Sequence, residues 1–161
     1  MARPDSNVRT TPSVLDRLID YDPRETREPS KSRSTTLQEL KASVRRDLEW
    51  LLNTRSFLNP DELDAPETRR SVAVYGLPDI TGLSAQSKDE QARMLRAVEH
   101  AIRIFEPRFL NLKVTMEPPT TNERSIRFRI EAQLDEDPVP EPIVFDTVLK
   151  LGSSDFNVKE S

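Results

Sequence analysis

The sequence contains no cysteine, three glycines and one histidine in 161 residues. The lack of cysteine excludes disulfides, thiolate zinc sites and cysteine nucleophiles, and it suits a reducing cytosol. Three glycines are too few for a Gly-rich phosphate-binding loop, and neither a Walker A nor a G-x-G-x-x-G run occurs. Because His100 is the single histidine, a multi-histidine metal site is excluded and a hydrolytic triad has little room.

Long apolar runs and a strong charge of one sign are also missing. No apolar run approaches the roughly 18 residues of a membrane span, and the polar start lacks the h-region of a secretory signal. Twenty-four basic against 28 acidic side chains leave a net charge of −4, too mild to indicate a nucleic-acid or membrane partner. These absences predict a cytoplasmic protein without cofactor or metal that either binds proteins or uses carboxylates.

Two segments have the apolar spacing of amphipathic helices. A Thr-x-x-Glu capping box predicts that the first begins at Thr36, and its pattern fades near Asn53. A Ser-x-x-Glu box opens the second at Ser87, and Pro107 ends it because the residue before a proline avoids the α region. We expect the apolar faces of residues 37–52 and 94–105 to lie in the core.

Downstream of Pro107 the apolar period changes from helical to alternating. Alternation predicts strands at Leu110–Met116, 126–134 and 143–151, with a short final strand near Phe156. Helices followed by locally joined strands predict an α+β fold, with two long helices on one face of a three- to four-stranded antiparallel meander. Five strand residues are expected to complete the core: Leu110, Leu112, Ile126, Phe128 and Ile130.

The N-terminal region is predicted to lie outside this domain. A short apolar stripe near residues 13–20 predicts a docking helix that is marginal by itself, and its members are Val14, Leu15, Leu18 and Ile19. Docking on the chain's own domain and docking on a partner are equally compatible with the stripe. A Pro-, Arg- and Ser-rich linker follows. We therefore divide the chain into a flexible segment 1–34, a domain 35–152 and a tail 153–161.

Glu106-Pro107-Arg108 stands at the predicted helix–strand corner. Pro107 forces a sharp exit, so that the flanking side chains are expected to project from a fixed corner. Arg108 has a planar fork of donors suited to a carboxylate, and Glu106 has the complementary acceptor. The alternative is an ordinary helix stop with a solvated ion pair. At Tyr75-Gly76-Leu77-Pro78-Asp79 a structural turn is expected, with Gly76 at positive φ.

Four segments in order resemble a known family. They are Val14-Leu15-Asp16-Arg17-Leu18, residues 44–55 (VRRDLEWLLNTR), residues 75–79 (YGLPD) and Glu106-Pro107-Arg108. Together they resemble TssE, the small baseplate subunit of type VI secretion systems, which is similar to a wedge protein of contractile phage tail baseplates once labelled tail lysozyme. The resemblance covers about residues 13–151.

The resemblance implies a structural role, not a reaction. Such proteins bind TssF and TssG in the baseplate, on the inner face of the cytoplasmic membrane, and help to start the TssB/TssC sheath. It implies a fold like the sheath protein's linking (handshake) domain, whose layers connect by strand addition. The family signature maps onto Glu106, Pro107 and Arg108, which with Leu110 and Leu112 are expected to face the sheath. TssF and TssG are expected to bind the helical side and the N-terminal region.

Two other functions remain open from the residues. A glycosidase needs two carboxylates at a set separation, and Glu49, Asp79 and Glu106 are candidates without diagnostic spacing. Such an enzyme would hydrolyse peptidoglycan, as the tail lysozyme label suggests. A generic adaptor acting only through its N-terminal peptide is the other alternative.

Overall fold

The computed structural model describes residues 13–19, 23–24, 33–58, 63–79, 87–117, 125–136, 139–150 and 155–160. Three helices come first: α1 (Val14–Leu18), α2 (Arg33–Asn53) and α3 (Lys88–Phe105), with 3-10 turns at Thr68–Arg70 and Val72–Val74. Four strands follow: β1 (Phe109–Met116), β2 (Ser125–Leu134), β3 (Glu141–Lys150) and β4 (Asp155–Glu160). The predicted α+β order is confirmed. Most of the Pro-, Arg- and Ser-rich linker predicted after the docking helix lies outside the described residues.

Both ends of α3 are set by the residues that the sequence indicated. Ser87 is the N-cap, and its hydroxyl oxygen accepts a hydrogen bond from Glu90 N at 3.4 Å. The last helical hydrogen bond runs from Glu106 N to Ile102 O at 2.8 Å, directly before Pro107. Since proline has no N–H and restricts the residue before it, the helix stops there.

Helix α2 begins three residues before its predicted start, at Arg33 rather than Thr36. A Thr-x-x-Glu pattern permits a helix to begin but does not require it, because Ser and Thr also occur inside the first turns. The predicted end at Asn53 is confirmed. The buried face of α2 consists of Leu40, Val44, Leu48, Leu51 and Leu52, as predicted, whereas Leu37 at the start of the predicted face is only half-buried.

The four strands form one antiparallel sheet in the order β1-β2-β3-β4, which is the predicted meander. One face packs on α2 and α3, with α2 beside β4 and α3 beside β1. The other face is mostly polar and carries ion pairs such as Arg129–Glu131 at 3.3 Å. This is the one-sided burial expected of an antiparallel sheet. Because β4 pairs with β3 as far as Glu160, the folded domain extends into the segment expected to be a tail.

A single apolar core lies between the helices and the sheet. Ile126, Phe128 and Ile130 were expected there and are each exposed by 1% or less. Strands β3 and β4 add alternate residues to the same layer: Ile143, Phe145, Leu149, Phe156 and Val158. From α3 the core takes Met94, Val98, Ala101 and Ile102.

Strand β1 contains a bulge that the sequence pattern did not indicate. Leu110 pairs with Gln133 and Lys113 with Glu131, so three steps along β1 match two along β2. Asn111 has φ 53°, a left-handed conformation that asparagine tolerates better than most residues. An extra residue in one strand is the definition of a β-bulge, and such bulges are frequent on edge strands.

The bulge changes which side chains of β1 meet the core. Phe109, Leu112 and Met116 pack against the core and Val114 is buried within it. Leu110 is half-buried and is not a member of this cluster. Strict alternation predicted both Leu110 and Leu112 in the core; the prediction for Leu110 is wrong because the extra residue shifts the register by one.

A tight backbone contact at Gly76 joins the loop before α3 to the end of α2. Leu77 N donates to Thr54 O at 2.9 Å, and Ser56 N donates to Leu77 O at 2.8 Å. Gly76 has φ 109°, which confirms the predicted positive φ, and a Cβ built there would lie 2.5 Å from Thr54 O. Only glycine fits this position without moving backbone.

Gly76→Ala should therefore lower the free energy of unfolding by about 2–3 kcal/mol, since it combines an unfavourable φ with a backbone clash. A urea melt followed by circular dichroism measures the loss. Val72→Ala, in the same loop and 85% exposed, is the control and should cost less than about 0.5 kcal/mol. Equal midpoints for the two variants would contradict this account of the contact.

Candidate functional site

Five charged side chains form a continuous series of ion pairs that joins α1, α2 and the start of β1. Arg46 Nη2 lies 2.8 Å from Asp16 Oδ1 and 2.7 Å from Asp47 Oδ1. Arg108 Nη2 lies 2.9 Å from Asp47 Oδ2 and 2.7 Å from Glu106 Oε2. Three carboxylates thus alternate with two guanidinium groups. We call this series the ion-pair chain.

The turn at Pro107 brings Glu106 and Arg108 together. Phe109 N donates to Glu106 O at 3.1 Å, which closes a four-residue turn with Pro107 at its second position. Proline suits that position because its φ is already that of the turn and no N–H is needed there. Arg108 can then donate from both Nε, at 3.0 Å, and Nη2, at 2.7 Å, to Glu106 Oε2.

The side chains of the triplet point inward, not away from the corner. Glu106 is 5% exposed, and the side chains of Arg108 and Asp47 are each 15% exposed. The prediction that these side chains project from the corner is therefore wrong. The alternative, a solvated ion pair, is not observed either, because the pair is buried. Arg108 Nη1 is buried and has no hydrogen-bond partner among the described residues. The sheath-facing role expected for this triplet stays a prediction.

Burial and charge compete at both members of the pair. Burial raises the pKa of Glu106 above its ordinary value, and the attraction of Arg108 only partly offsets this. Burial acts against the charge of Arg108, but the carboxylates of Glu106 and Asp47 outweigh it, so the pKa of Arg108 is raised. Arg108 thus keeps its charge, and its contact with Glu106 offsets part of the cost of burying that carboxyl group.

Asp16 attaches α1 to α2. Its Oδ2 accepts from Ser13 N at 3.0 Å, from the Ser13 hydroxyl at 2.7 Å and from the Ser43 hydroxyl, while Oδ1 meets Arg46. Burial by itself would raise the pKa of Asp16, but the hydrogen bonds from Ser43, Arg46 and Ser13 hold it well below its usual range. The short helix is thereby docked on its own domain through a carboxylate.

The predicted docking stripe on α1 divides into two pairs. Leu15 and Ile19 are half-buried, whereas Val14 is 75% and Leu18 is 77% exposed. Intramolecular docking therefore accounts for only part of the stripe. Because Val14 and Leu18 are exposed, binding of a partner by α1 remains a prediction.

Tyr75 also borders the ion-pair chain. Its ring meets Phe105 edge to face, with centroids 5.1 Å apart. Burial raises the pKa of Tyr75, and the negative charges of Glu106 and Asp47 add to the shift. All four segments that carry the family resemblance thus contribute side chains to one region, although they are far apart in the sequence.

The two edges of the sheet differ in what they leave open. At β4, Phe156 N donates to Asn53 Oδ1 at 2.8 Å and Phe156 O accepts from Asn53 Nδ2 at 2.9 Å. Lys41, also on α2, lies 3.4 Å from Glu160 at the other end of that strand. Helix α2 thus occupies part of the outer edge of β4.

The outer edge of β1 has no neighbouring strand among the described residues. Glu117 N donates inward to Arg127 O at 2.9 Å, just beyond the last pair of the β1–β2 ladder. By the alternation of an antiparallel ladder, the N–H and C=O of Val114 and Met116 then point to the open side. Leu110 and Leu112, both half-buried, flank the bulge at the start of this edge.

The proposed glycosidase carboxylates lie in different settings. Glu106 is paired with Arg108, and Glu49 is 3.6 Å from Arg45 on α2. Asp79 is exposed in the loop after Leu77. Within the described ranges, no group of three or more His, Asp or Glu side chains is arranged to hold a metal ion. Those ranges also contain no helix with the length and apolar character needed to span a bilayer.

Several residues of the site were not singled out from the sequence. Asp47 and Arg46 lie within residues 44–55, one of the segments that carry the family resemblance. Nothing local indicated that Asp47 would meet Arg108 across 61 residues or that Arg46 would meet Asp16 across 30. Asp16 did carry a local signal, since Ser13-x-x-Asp16 has capping-box spacing and both reciprocal hydrogen bonds form. Asn53 showed no sequence signal for its contact with β4.

A family model described as Baseplate wedge protein gp25 matches residues 38–139. The matched region runs from α2 through β2 and includes Arg46, Asp47, Tyr75, Glu106 and Arg108. No curated protein and no solved structure matches the chain.

Arg108→Met should lower the free energy of unfolding by about 3–5 kcal/mol, because it leaves Glu106 buried without its cation. Adding Glu106→Gln should restore part of the loss. The matched control is Arg103→Met, which breaks the exposed Arg103–Glu99 pair and should cost under about 1 kcal/mol. Urea melts at pH 7 measure all three. A loss at Arg108 no greater than at Arg103 would contradict a buried, structural ion-pair chain.

The attachment of α1 should depend on pH through Asp16. A carboxyl group whose pKa is lower in the folded than in the unfolded state stabilises the folded state at pH values above its unfolded pKa, which is near 3.8. This stabilisation is lost as the pH falls below that value. Amide hydrogen exchange of residues 14–19, corrected for intrinsic rates, should show protection at pH 7 that weakens below about pH 4. Asp16→Asn should reduce protection at pH 7 and flatten the pH dependence.

The control for this measurement is Glu117→Gln, which removes an exposed carboxylate. It should leave the protection of residues 14–19 and its pH dependence unchanged. Protection that is the same in Asp16→Asn and in the unmodified chain would show that apolar contacts, not Asp16, hold α1.

Proposed function

The chain belongs to the baseplate wedge protein gp25 family, which is the family of the type VI secretion baseplate protein TssE, and from this premise we propose that it nucleates a contractile sheath. The family indicates a structural component of a phage-tail-like baseplate. In our proposal the baseplate is that of a type VI secretion system, the chain binds TssF and TssG, and it starts polymerisation of the TssB/TssC sheath. The observation that carries the proposal is the family match over residues 38–139.

We propose that the sheath strand adds to β1, in the manner of a handshake domain. The support is the contrast between the two edges: β4 is engaged by Asn53, whereas β1 turns the N–H and C=O groups of Val114 and Met116 outward. The bulge at Asn111 limits a regular ladder to the part of β1 that follows it.

The Glu106-Pro107-Arg108 corner is proposed to set the direction of this edge. Arg108 ties the first residues of β1 to Asp47 on α2, and its carbonyl oxygen accepts from Asp135 N at 2.9 Å just after β2. Both contacts restrict where β1 leaves the corner. A rigid edge lowers the entropy lost when a partner strand binds. The triplet then acts on the sheath mainly by positioning β1.

TssF and TssG are proposed to bind the helical side. Val14 and Leu18 on α1 and Trp50 on α2 are exposed apolar side chains on elements joined through Asp16 and Arg46. Arg46 also lies over the Trp50 ring, 5.1 Å from its centroid. Tryptophan and arginine are enriched at the hot spots of protein interfaces, and grouped exposed apolar side chains mark interaction sites. The proposed role of the chain is structural and non-catalytic. The proposed location is the baseplate on the cytoplasmic side of the inner membrane.

Met116→Pro tests the proposed strand addition. Proline removes an N–H that points outward, so the ladder with β2 should survive while a partner strand loses a donor. The control Met116→Ala loses the same side-chain packing but keeps the N–H. Fluorescent TssB sheaths in cells should be abolished or strongly reduced by Met116→Pro and retained with Met116→Ala, while both purified variants melt within a few degrees of each other.

Two results would contradict this proposal. Normal sheaths with Met116→Pro, from a protein that melts like Met116→Ala, would show that β1 is not the accepting edge. Loss of sheaths with Met116→Ala as well would assign the effect to side-chain packing. Glu160→Pro extends the comparison to β4, where an outward N–H at the end of the strand should not be needed.

A further inference from the structure

A groove of about 520 Å³ runs along the side of α3 that faces the loop segments before it. One wall comprises residues of α3 from Arg93 to Phe105, and the other comprises Ser56, Leu58, Val74, Gly76 and Pro78. Twelve helical steps of 1.5 Å give a length of about 18 Å. None of the described residues that line the groove belongs to α1, α2 or β1, so the groove is separate from both surfaces of the proposed function.

The floor of the groove is apolar. Ala97 and Ile104 face it from α3, and Leu58 and Val74 face it from the loop side. Leu58 is 41% exposed, and its neighbour Phe57 is 98% exposed. Large apolar side chains this exposed, grouped beside a concave surface, are typical of a binding site for another protein.

The rim of the groove is basic. Arg93 and Arg96 are exposed, lie one helical turn apart and form no ion pair with any described residue. Arg103 lies further along the same rim, but it is already paired with Glu99. Two uncompensated positive charges therefore stand at one end of an apolar groove, in a chain whose net charge is −4.

We propose that this groove binds a segment of a partner protein that carries two carboxylates beside aliphatic or aromatic anchors. The anchors fill the floor at Ala97, Ile104 and Leu58, and the carboxylates meet Arg93 and Arg96. Arginine favours such a contact because its planar fork matches a carboxylate. Complementary charge at the rim sets the partner's orientation and its rate of association more than its affinity. The proposal goes beyond sheath nucleation and does not depend on it.

The chemistry of the groove favours a peptide over other anionic partners. A nucleic acid needs a row of cations to follow its phosphates, and the rim offers two that are unpaired. A membrane surface is flat, whereas Ala97 and Ile104 lie in a groove that has loop residues as its second wall. A flat surface would not reach them. A short amphipathic segment, helical or extended, matches both the length and the mixed lining.

The test uses the full chain and a displayed library of random 12-residue peptides. The selected sequences should be enriched in Asp and Glu next to Leu, Ile or Phe. The most enriched peptide, labelled with fluorescein, is then titrated by fluorescence anisotropy. Arg93→Glu with Arg96→Glu should weaken binding at least tenfold, and Leu58→Ser should weaken it several-fold. Raising sodium chloride from 50 to 500 mM should also weaken binding.

A charge-matched control separates local from general electrostatics. Lys88→Glu with Lys159→Glu makes the same change in net charge at exposed residues outside the groove and should change the affinity less than twofold. Melts of all variants should agree within a few degrees, because every substituted side chain is at the surface.

Each remaining outcome overturns the proposal. A selection without enrichment, or one that enriches Lys and Arg, would show that the groove does not read acidic apolar segments. Equal weakening by the control pair would assign binding to net charge. Tighter binding of single-stranded DNA, or of phosphatidylserine vesicles, through Arg93 and Arg96 would assign the rim to another class of partner. Since no sheath is involved, these results do not depend on those with Met116→Pro.

Discussion

The placement of Arg108 is the constraint on which the rest of the site depends. Its guanidinium is largely buried, and burying a charge is tolerable only when countercharges and hydrogen bonds surround it. Glu106 and Asp47 supply them at 2.7 and 2.9 Å, and Asp47 in turn is held by Arg46 and through it by Asp16. One arginine therefore connects the helix–strand corner to the middle of α2 and, indirectly, to α1.

Helix α2 serves three roles through different sides and ends. Its apolar side covers the sheet, Asp47 and Arg46 anchor the ion-pair chain, and Asn53 at its end contacts the backbone of Phe156 in β4. The last contact makes the two edges of the sheet unequal. Among the described residues, the β4 edge is partly covered by α2 and the β1 edge has no neighbouring strand, which favours strand addition at β1.

The proposed binding surfaces follow from what the core does not use. Burial of the apolar faces leaves Val14, Leu18 and Trp50 exposed near α1, the open edge at β1, and the basic groove beside α3. These three surfaces lie on different elements, so each can be altered by substitutions that leave the other two unchanged. The ion-pair chain, in contrast, is coupled to stability, which is why variants of Glu106 and Arg108 need a folding control.

The sequence by itself determined the elements whose causes are local. Ser87 and Pro107 mark the two ends of α3 because capping and the missing N–H act within one turn. Alternation placed Ile126 and Phe128 in the core because the side chains of a strand repeat every two residues. Only the tertiary structure decided the bulge at Asn111, which removed Leu110 from the core, and the pairing of Arg108 with Asp47. These depend on the register of β1 against β2 and on contacts across 61 residues, and neither leaves a trace in the spacing of neighbouring side chains.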